Sequence, residues 1–131
     1  MDEPTERLIE GYLEKSKKKL EVATKLLTDG FYDDAISRAY YAVFHAAQAA
    51  LLVEGVKTET HKGVVMLFGL LLVKTGRIDK KYGRLLANLK DDRETGDYEV
   101  MSWMDEGDAQ NAITEAEEFI RVIERFIKES L

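Results

Sequence analysis

SRAYYAVFHAAQAALL, residues 37–52, is a largely apolar and aromatic run that contains one arginine and one histidine. An α-helix turns about 100° per residue, so Arg38 and His45, seven residues apart, lie within about 20° of each other on one face. Most of the other side chains are apolar and point in other directions around the helix. The sequence therefore predicts a largely buried helix over about residues 32–54, ending at Gly55.

Apolar residues at spacings of three and four predict further helices along the chain. These cover about residues 4–28, 60–75 and 80–96, and a long last helix follows residue 107. No segment alternates in the manner of a strand. The expected fold is all-α, an antiparallel up-and-down bundle of four to five helices in one domain over residues 1–131. The stripes expected to face the core are Leu8, Tyr12, Leu20, Ala23 and Leu27 in the first helix and Ile113, Ala116, Ile120, Ile123 and Ile127 in the last.

Composition narrows the class of protein. With 45% hydrophobic and 34% charged residues, the 131-residue chain resembles soluble globular proteins, and the absence of cysteine excludes disulfides, thiolate catalysis and zinc sites of the cysteine type. The longest apolar run, residues 63–73, is too short to cross a bilayer of about 30 Å, so we expect a cytoplasmic protein without a membrane partner. Residues 94–131 hold 11 acidic and 3 basic residues, a net charge of −8, whereas residues 1–93 have a net charge of +2, which leaves phosphate binding open to that part of the chain.

A row of polar side chains follows the face that Arg38 and His45 share. Asp34, Tyr41 and Gln48 belong to the same face at spacings of three or four, and we call these five residues the polar strip. Burying such groups without partners would cost several kcal/mol. The polar strip must therefore either pair internally or line a cleft open to water.

The side chains of the polar strip suit the binding of a phosphate group and chemistry on it. The guanidinium of Arg38 matches phosphate oxygens in a bidentate way, and the imidazole of His45 exchanges protons near neutral pH. Together they could cleave RNA without a metal, with His45 as acid or base and Arg38 stabilising the transition state. One histidine does not easily fill both roles, whereas two copies in a homodimer could. The alternative is structural: Arg38 pairs with Asp34, and His45 is a core histidine with satisfied nitrogens.

Two further features have structural interpretations. The lysine-rich run over residues 15–19 is expected to be a solvated helix face paired with Glu14 and Glu21. His61, in the first turn of the third helix, is expected to be neutral and exposed, and a metal site shared with His45 would have only two imidazoles. The sequence contains no glycine-rich phosphate loop, and we expect no metal and no cofactor.

Four segments of the sequence resemble segments of one protein family and follow one another in the same order. They are DDAISRAYYAVFHAAQAALL (residues 33–52), THKGVVMLFGLLLVKTGRIDKKYGRLL (60–86), DDRETGDYE (91–99) and AEEFIRVIERFI in the last helix. Together they are similar to the HEPN domain (higher eukaryotes and prokaryotes nucleotide-binding), in particular to its small stand-alone prokaryotic members. The resemblance covers nearly the whole chain.

The resemblance implies a helical bundle that dimerises. In many members an arginine, four to six intervening residues and a histidine form a metal-independent ribonuclease site, a pattern that Arg38 and His45 match. Such proteins are often toxins beside a minimal nucleotidyltransferase antitoxin. On this interpretation Arg38 and His45 are catalytic, and Asp34, Tyr41 and Gln48 bind the RNA or nucleotide.

The chain departs from the family pattern at one position. Active members usually carry Asn, Asp or His directly after the arginine, and here that residue is Ala39. Asp34 or Tyr41 on the same face is a candidate to replace it. Ala39 favours the alternative, a non-catalytic HEPN module that binds a nucleotide or a partner protein through the polar strip. The retained arginine and histidine favour the ribonuclease.

Overall fold

A computed structural model of the chain describes the backbone of residues 1–98 and 104–131, and side chains outside residues 90–103. Over these residues the chain forms α-helices and one short π-helical segment, without a strand, which confirms the predicted all-α bundle. No helix in this part of the chain is long and apolar enough to cross a membrane. The helices are α1 (Glu3–Thr28), α2 (Tyr32–Val53), α3 (His61–Phe68), the π-helical segment (Gly69–Val73), α4 (Lys80–Tyr98) and α5 (Glu106–Ser130).

The first two helices begin and end close to the predicted positions. The Asp2 carboxylate accepts a hydrogen bond from the Thr5 backbone N–H at 2.8 Å and caps α1. Gly30 follows α1 with a φ of +85°, and Gly55 follows α2 with a φ of +77°. Both glycines adopt the left-handed conformation that other residues rarely accept, so the chain reverses direction at these two points.

α2 is the central element, in contact with each of the other four α-helices. Its many alanines allow α1 to approach closely, and the Ser16 hydroxyl of α1 donates a hydrogen bond to the Ala42 carbonyl of α2 at 2.5 Å. Ser16 is fully buried, so this bond satisfies the only polar group of its side chain. The α1–α2 pair therefore fixes the position of the polar strip.

The core is built from one face of each outer helix. The predicted stripe of α5 is confirmed, since all five of its residues are buried. The stripe of α1 was wrong at Leu8, which is 42% exposed, whereas Ile9 is 2% exposed. The buried face of α1 is centred on Ile9, Ser16 and Ala23, which repeat every seven residues, and Leu8 lies about 100° away from Ile9.

The third helix differs from the prediction in its second half. Thr60 caps α3 by accepting a hydrogen bond from the Gly63 N–H at 3.0 Å. The α-helix ends at Phe68, and the predicted continuation becomes the π-helical segment, where the Lys74 N–H donates to the Gly69 carbonyl at 2.8 Å. A π-turn accommodates one extra residue, and no apolar periodicity marks it in the sequence.

Candidate functional site

The polar strip runs from the exposed start of α2 into its buried middle. Asp34 and Arg38 are exposed, Tyr41 and His45 are half-buried, and Gln48 is buried with 5% exposure. The exposure thus falls steadily from the start of α2 towards its middle. Ser37, half-buried on the same side, was missed by the sequence analysis, although its spacing to Asp34 and Tyr41 would have identified it.

A hydrogen-bonded chain fixes the orientation of the His45 ring. Gln48 Nε2 donates to the Thr58 carbonyl at 3.0 Å, and Gln48 Oε1 lies 2.9 Å from His45 Nδ1. A backbone carbonyl only accepts, so the amide nitrogen of Gln48 must face Thr58 and its oxygen must face the histidine. That oxygen also only accepts, so His45 Nδ1 carries a hydrogen. The basic lone pair of the neutral ring is therefore on Nε2.

The surroundings of His45 keep the ring neutral. Burial lowers its pKa below the ordinary value of 6.5, and the positive charges of Lys15, Lys19 and His61 lower it further, while the hydrogen bond with Gln48 acts in the opposite direction. At pH 7 the imidazole therefore presents an unprotonated Nε2. A neutral histidine with a fixed tautomer is suited to accept a proton from a hydroxyl group.

α1 supplies the second wall of the site. The Tyr12 ring stacks beside His45 with centroids 6.2 Å apart, and Lys15 and Lys19 follow on the same side of α1. Lys15 and Lys19 also line a groove of about 480 Å³ along α1. These residues recur at spacings of three and four, but only the packing of α1 on α2 shows that they face His45.

The lysine-rich run is thus only partly the solvated, paired face that we expected. Lys17 forms an ion pair with Glu124 of α5 at 2.9 Å, rather than with a neighbour on its own helix. Among the residues that the structure describes, Lys15, Lys18 and Lys19 form no ion pair. Their charges remain available to an anionic ligand.

His61 lies in the same aromatic cluster as His45. Its Nδ1 is 2.6 Å from the hydroxyl of Tyr40, which is fully buried, and its ring stacks on Phe44 with centroids 4.7 Å apart. We expected His61 to be exposed, but it is half-buried, because α3 begins directly against this aromatic face of α2. Nothing in the local sequence around His61 indicates this contact.

Arg38 is exposed beside the cluster. Seven residues of helix separate it from His45, a rise of about 10 Å. Within the described part of the chain, Asp34 and Arg38 form no ion pair, so the structural alternative predicted for them is not observed. Ala39, the departure from the family pattern, is fully buried in the core.

Among the described side chains, no group of three or more His, Cys, Asp or Glu residues is placed to hold a metal ion. His45 and His61 each have Nδ1 engaged, with Gln48 and Tyr40 respectively.

Comparisons with known proteins agree with this architecture. A family model described as the HEPN domain matches residues 9–126. "Putative toxin MJ0605" from Methanocaldococcus jannaschii is 37% identical over 123 residues, which cover 94% of this chain and 91% of that protein. A "UPF0332 protein" from Thermotoga maritima is 32% identical, covering 95% and 94%, and "Putative toxin MJ0142" from M. jannaschii is 27% identical, covering 92% and 82%.

Proposed function

Because the chain belongs to the HEPN domain family, we propose that it is a metal-independent endoribonuclease that acts as the toxin of a cytoplasmic toxin–antitoxin pair. The observation that carries the proposal is the series of hydrogen bonds from Thr58 through Gln48 to His45. These bonds hold a basic Nε2 on the polar strip, which also bears Arg38. Two relatives that carry the word toxin in their names support the biological role.

The reaction begins at the ribose 2′-hydroxyl. His45 Nε2 accepts its proton, the 2′-oxygen forms a bond to phosphorus, and the bond to the 5′-oxygen breaks. The leaving 5′-oxygen takes a proton from solvent, so the products are a 2′,3′-cyclic phosphate and a 5′-hydroxyl end. The Arg38 guanidinium stabilises the negative charge that develops on the phosphate oxygens.

The other members of the polar strip hold the catalytic groups and the RNA. Gln48 is buried and both ends of its amide are engaged, so it positions His45 rather than contacting RNA directly. Tyr41, half-buried beside His45, offers a ring edge to a base, and exposed Asp34 accepts hydrogen bonds from ribose or base groups. In a homodimer the polar strips of two protomers would line one cleft.

The second protein of the pair is a minimal nucleotidyltransferase antitoxin. Neutralising the toxin requires that the antitoxin blocks the polar strip or holds the dimer in an inactive form. The exposed end of the polar strip, at Asp34 and Arg38, is the part that such a partner can reach. The support for this partner is the family resemblance.

A second candidate function rests on Ala39. A non-catalytic HEPN module would use the same strip to bind a nucleotide or a partner protein. Ala39 is fully buried, so no side chain at this position reaches solvent beside Arg38 without rearranging the core. Asp34 and Tyr41, on the same face of α2, are the candidates to orient Arg38 in its place.

The deciding experiment is cleavage of total cellular RNA by the purified protein in EDTA. We expect the wild type to produce fragments ending in 2′,3′-cyclic phosphate, and Arg38→Ala to cleave about 10²–10³-fold more slowly, because it lacks the charge on the phosphate. Arg125→Ala, which removes an exposed arginine from α5, should retain the wild-type rate. A wild type that binds nucleotide but cleaves no RNA would establish the non-catalytic module.

The lysines of α1 provide a separate prediction about binding. We expect Lys15→Gln/Lys19→Gln to weaken RNA binding and to reduce the slope of log Kd against log salt concentration by about 1.4, since each phosphate contact contributes about 0.7 for single strands. Fluorescence anisotropy with a labelled oligonucleotide over a range of salt concentrations measures the slope. Lys74→Gln/Lys128→Gln removes the same charge from exposed positions elsewhere, and an equal change in that variant would contradict a local role.

A further inference from the structure

Two contacts define the register in which α1 and α2 pack. The Tyr12 ring of α1 stacks beside His45 of α2 with centroids 6.2 Å apart. Further along, the Ser16 hydroxyl of α1 donates to the Ala42 carbonyl of α2 at 2.5 Å. The two helices are therefore antiparallel, and because both rise about 1.5 Å per residue, a step forward along α1 corresponds to an equal step back along α2.

This register brings a lysine of α1 opposite an arginine of α2. Lys19 follows Tyr12 by seven residues on α1. On α2, Arg38 precedes His45 by the same number. Seven residues return a helix to within about 20° of the same direction and advance it by about 10 Å. Lys19 therefore lies level with Arg38, on the side of the helix pair that carries the polar strip.

The surroundings of Lys19 agree with this position. It is half-buried, whereas Lys15 and Lys18 are exposed, as expected for a side chain at the boundary between α1 and α2. A helical side chain leaves the backbone towards the N-terminus of its own helix, so Lys19 points from the level of Arg38 towards that of His45. Burial lowers the pKa of His45, and the positive charge of Lys19 is among those that lower it further.

Lys19 and Arg38 place two positive charges side by side. Within the part of the chain that the structure describes, neither of them forms an ion pair. Like charges repel, and water screens the repulsion only in part at short distance. A phosphate group between them removes this cost, because its oxygens accept hydrogen bonds from a guanidinium and an ammonium at the same time.

We propose that Lys19 and Arg38 bind one phosphate group between them, and that this phosphate is the one at which RNA is cleaved. The binding site is then built from two helices, with α1 contributing a charge that lies level with the arginine of the polar strip. A polar group beside Arg38, which Ala39 of α2 does not provide, comes from α1 instead. The identity of the phosphate as the reacting one rests on the proposed ribonuclease function.

The test uses a dinucleotide, because it contains a single phosphate. A 2′-O-methyl group on its first ribose prevents cleavage, and a second probe carries a neutral methylphosphonate in place of the phosphate. We expect wild type to bind the charged probe about tenfold or more tightly than the neutral one, and Lys19→Gln and Arg38→Gln each to lose about tenfold in affinity for the charged probe alone. NMR titration of the protein measures the dissociation constants.

Two further variants serve as controls. Lys19→Arg keeps the charge and should bind the charged probe nearly as tightly as wild type. Lys128→Gln removes the same charge from an exposed position on α5 and should leave the affinity unchanged. A loss of affinity in Arg38→Gln but not in Lys19→Gln would overturn the shared phosphate site. Equal losses for the charged and the neutral probe, or a wild type that does not distinguish them, would overturn it as well.

Cleavage of RNA by the same variants separates this inference from the proposed function. We expect Lys19→Gln to cleave RNA about tenfold more slowly than wild type under single-turnover conditions. Cleavage by this variant at the wild-type rate would overturn the role of Lys19 and leave the ribonuclease standing. A wild type that binds the dinucleotide through both cations but cleaves no RNA would instead refute the ribonuclease, and the phosphate site would belong to the non-catalytic module.

Discussion

Replacing His45 with asparagine is expected to slow RNA cleavage by about 10²–10⁴-fold under single-turnover conditions. The asparagine amide can donate to Gln48 Oε1 as His45 Nδ1 does, so the variant loses Nε2 without leaving a buried group unpaired. The midpoint of thermal unfolding should stay near that of wild type. Residual cleavage at the wild-type rate would remove His45 from the mechanism and return it to a structural role.

The pH dependence of the same reaction follows from the surroundings of His45. Because burial and nearby positive charge lower its pKa below 6.5, the base stays unprotonated to a lower pH than an ordinary histidine. We expect the decline of kcat/KM on this limb to be centred below pH 6.5. The unfolded chain takes up this proton first, so wild-type stability relative to His45→Asn should fall as the pH drops from 6.5 through the folded-state pKa.

The largest loss of stability is expected for Phe119→Ala, about 3–5 kcal/mol of the free energy of unfolding. Phe119 of α5 is fully buried, and its ring contacts Phe68 of α3 at 5.5 Å and Tyr82 of α4 at 6.3 Å between centroids. Truncating it leaves a cavity where three helices meet. Urea unfolding followed by circular dichroism measures the change.

A matched control for Phe119→Ala is Phe31→Ala. It removes the same atoms from a side chain that is 55% exposed, and its cost should be well below 1 kcal/mol. The Phe119 variant, where it folds, should cleave RNA at the wild-type rate, because among the described residues the ring of Phe119 packs against Phe68 and Tyr82 and not against a ring of the polar strip. Equal losses in the two variants would mean that the junction of the three helices adds little to stability.

The sequence alone was sufficient to predict the features that depend on residues close together in the chain. Helix α2 and the polar strip follow from the 3.6-residue period and from two glycines, since each of these signals lies within a few residues of the structure that it determines. The caps at Thr60 and Asp79 are equally local, and the Asp79 carboxylate accepts from the Lys81 N–H at 2.9 Å. Such features can be predicted without knowing how the helices pack.

What could not be predicted depends on contacts between helices. The lysines at 15 and 19 and the ring of Tyr12 become part of the site only because α1 packs beside His45, about thirty residues away in the chain. The environment of His61 also depends on a contact between helices, because the rings that bury it belong to α2. The local sequence is equally compatible with the exposed position that we expected. An apolar period fixes which residues of a helix face inward but not which neighbour they meet.

The central position of α2 has a consequence for hydrogen exchange. A helix that contacts all four of its neighbours can expose its amides to deuterated solvent only when those neighbours separate, so its protection should approach the full free energy of unfolding. The outer helices can fray or detach one at a time and exchange earlier. The polar strip is therefore carried by the slowest-exchanging segment, while the lysines of α1 and the imidazole of α3 belong to elements that can fluctuate around it.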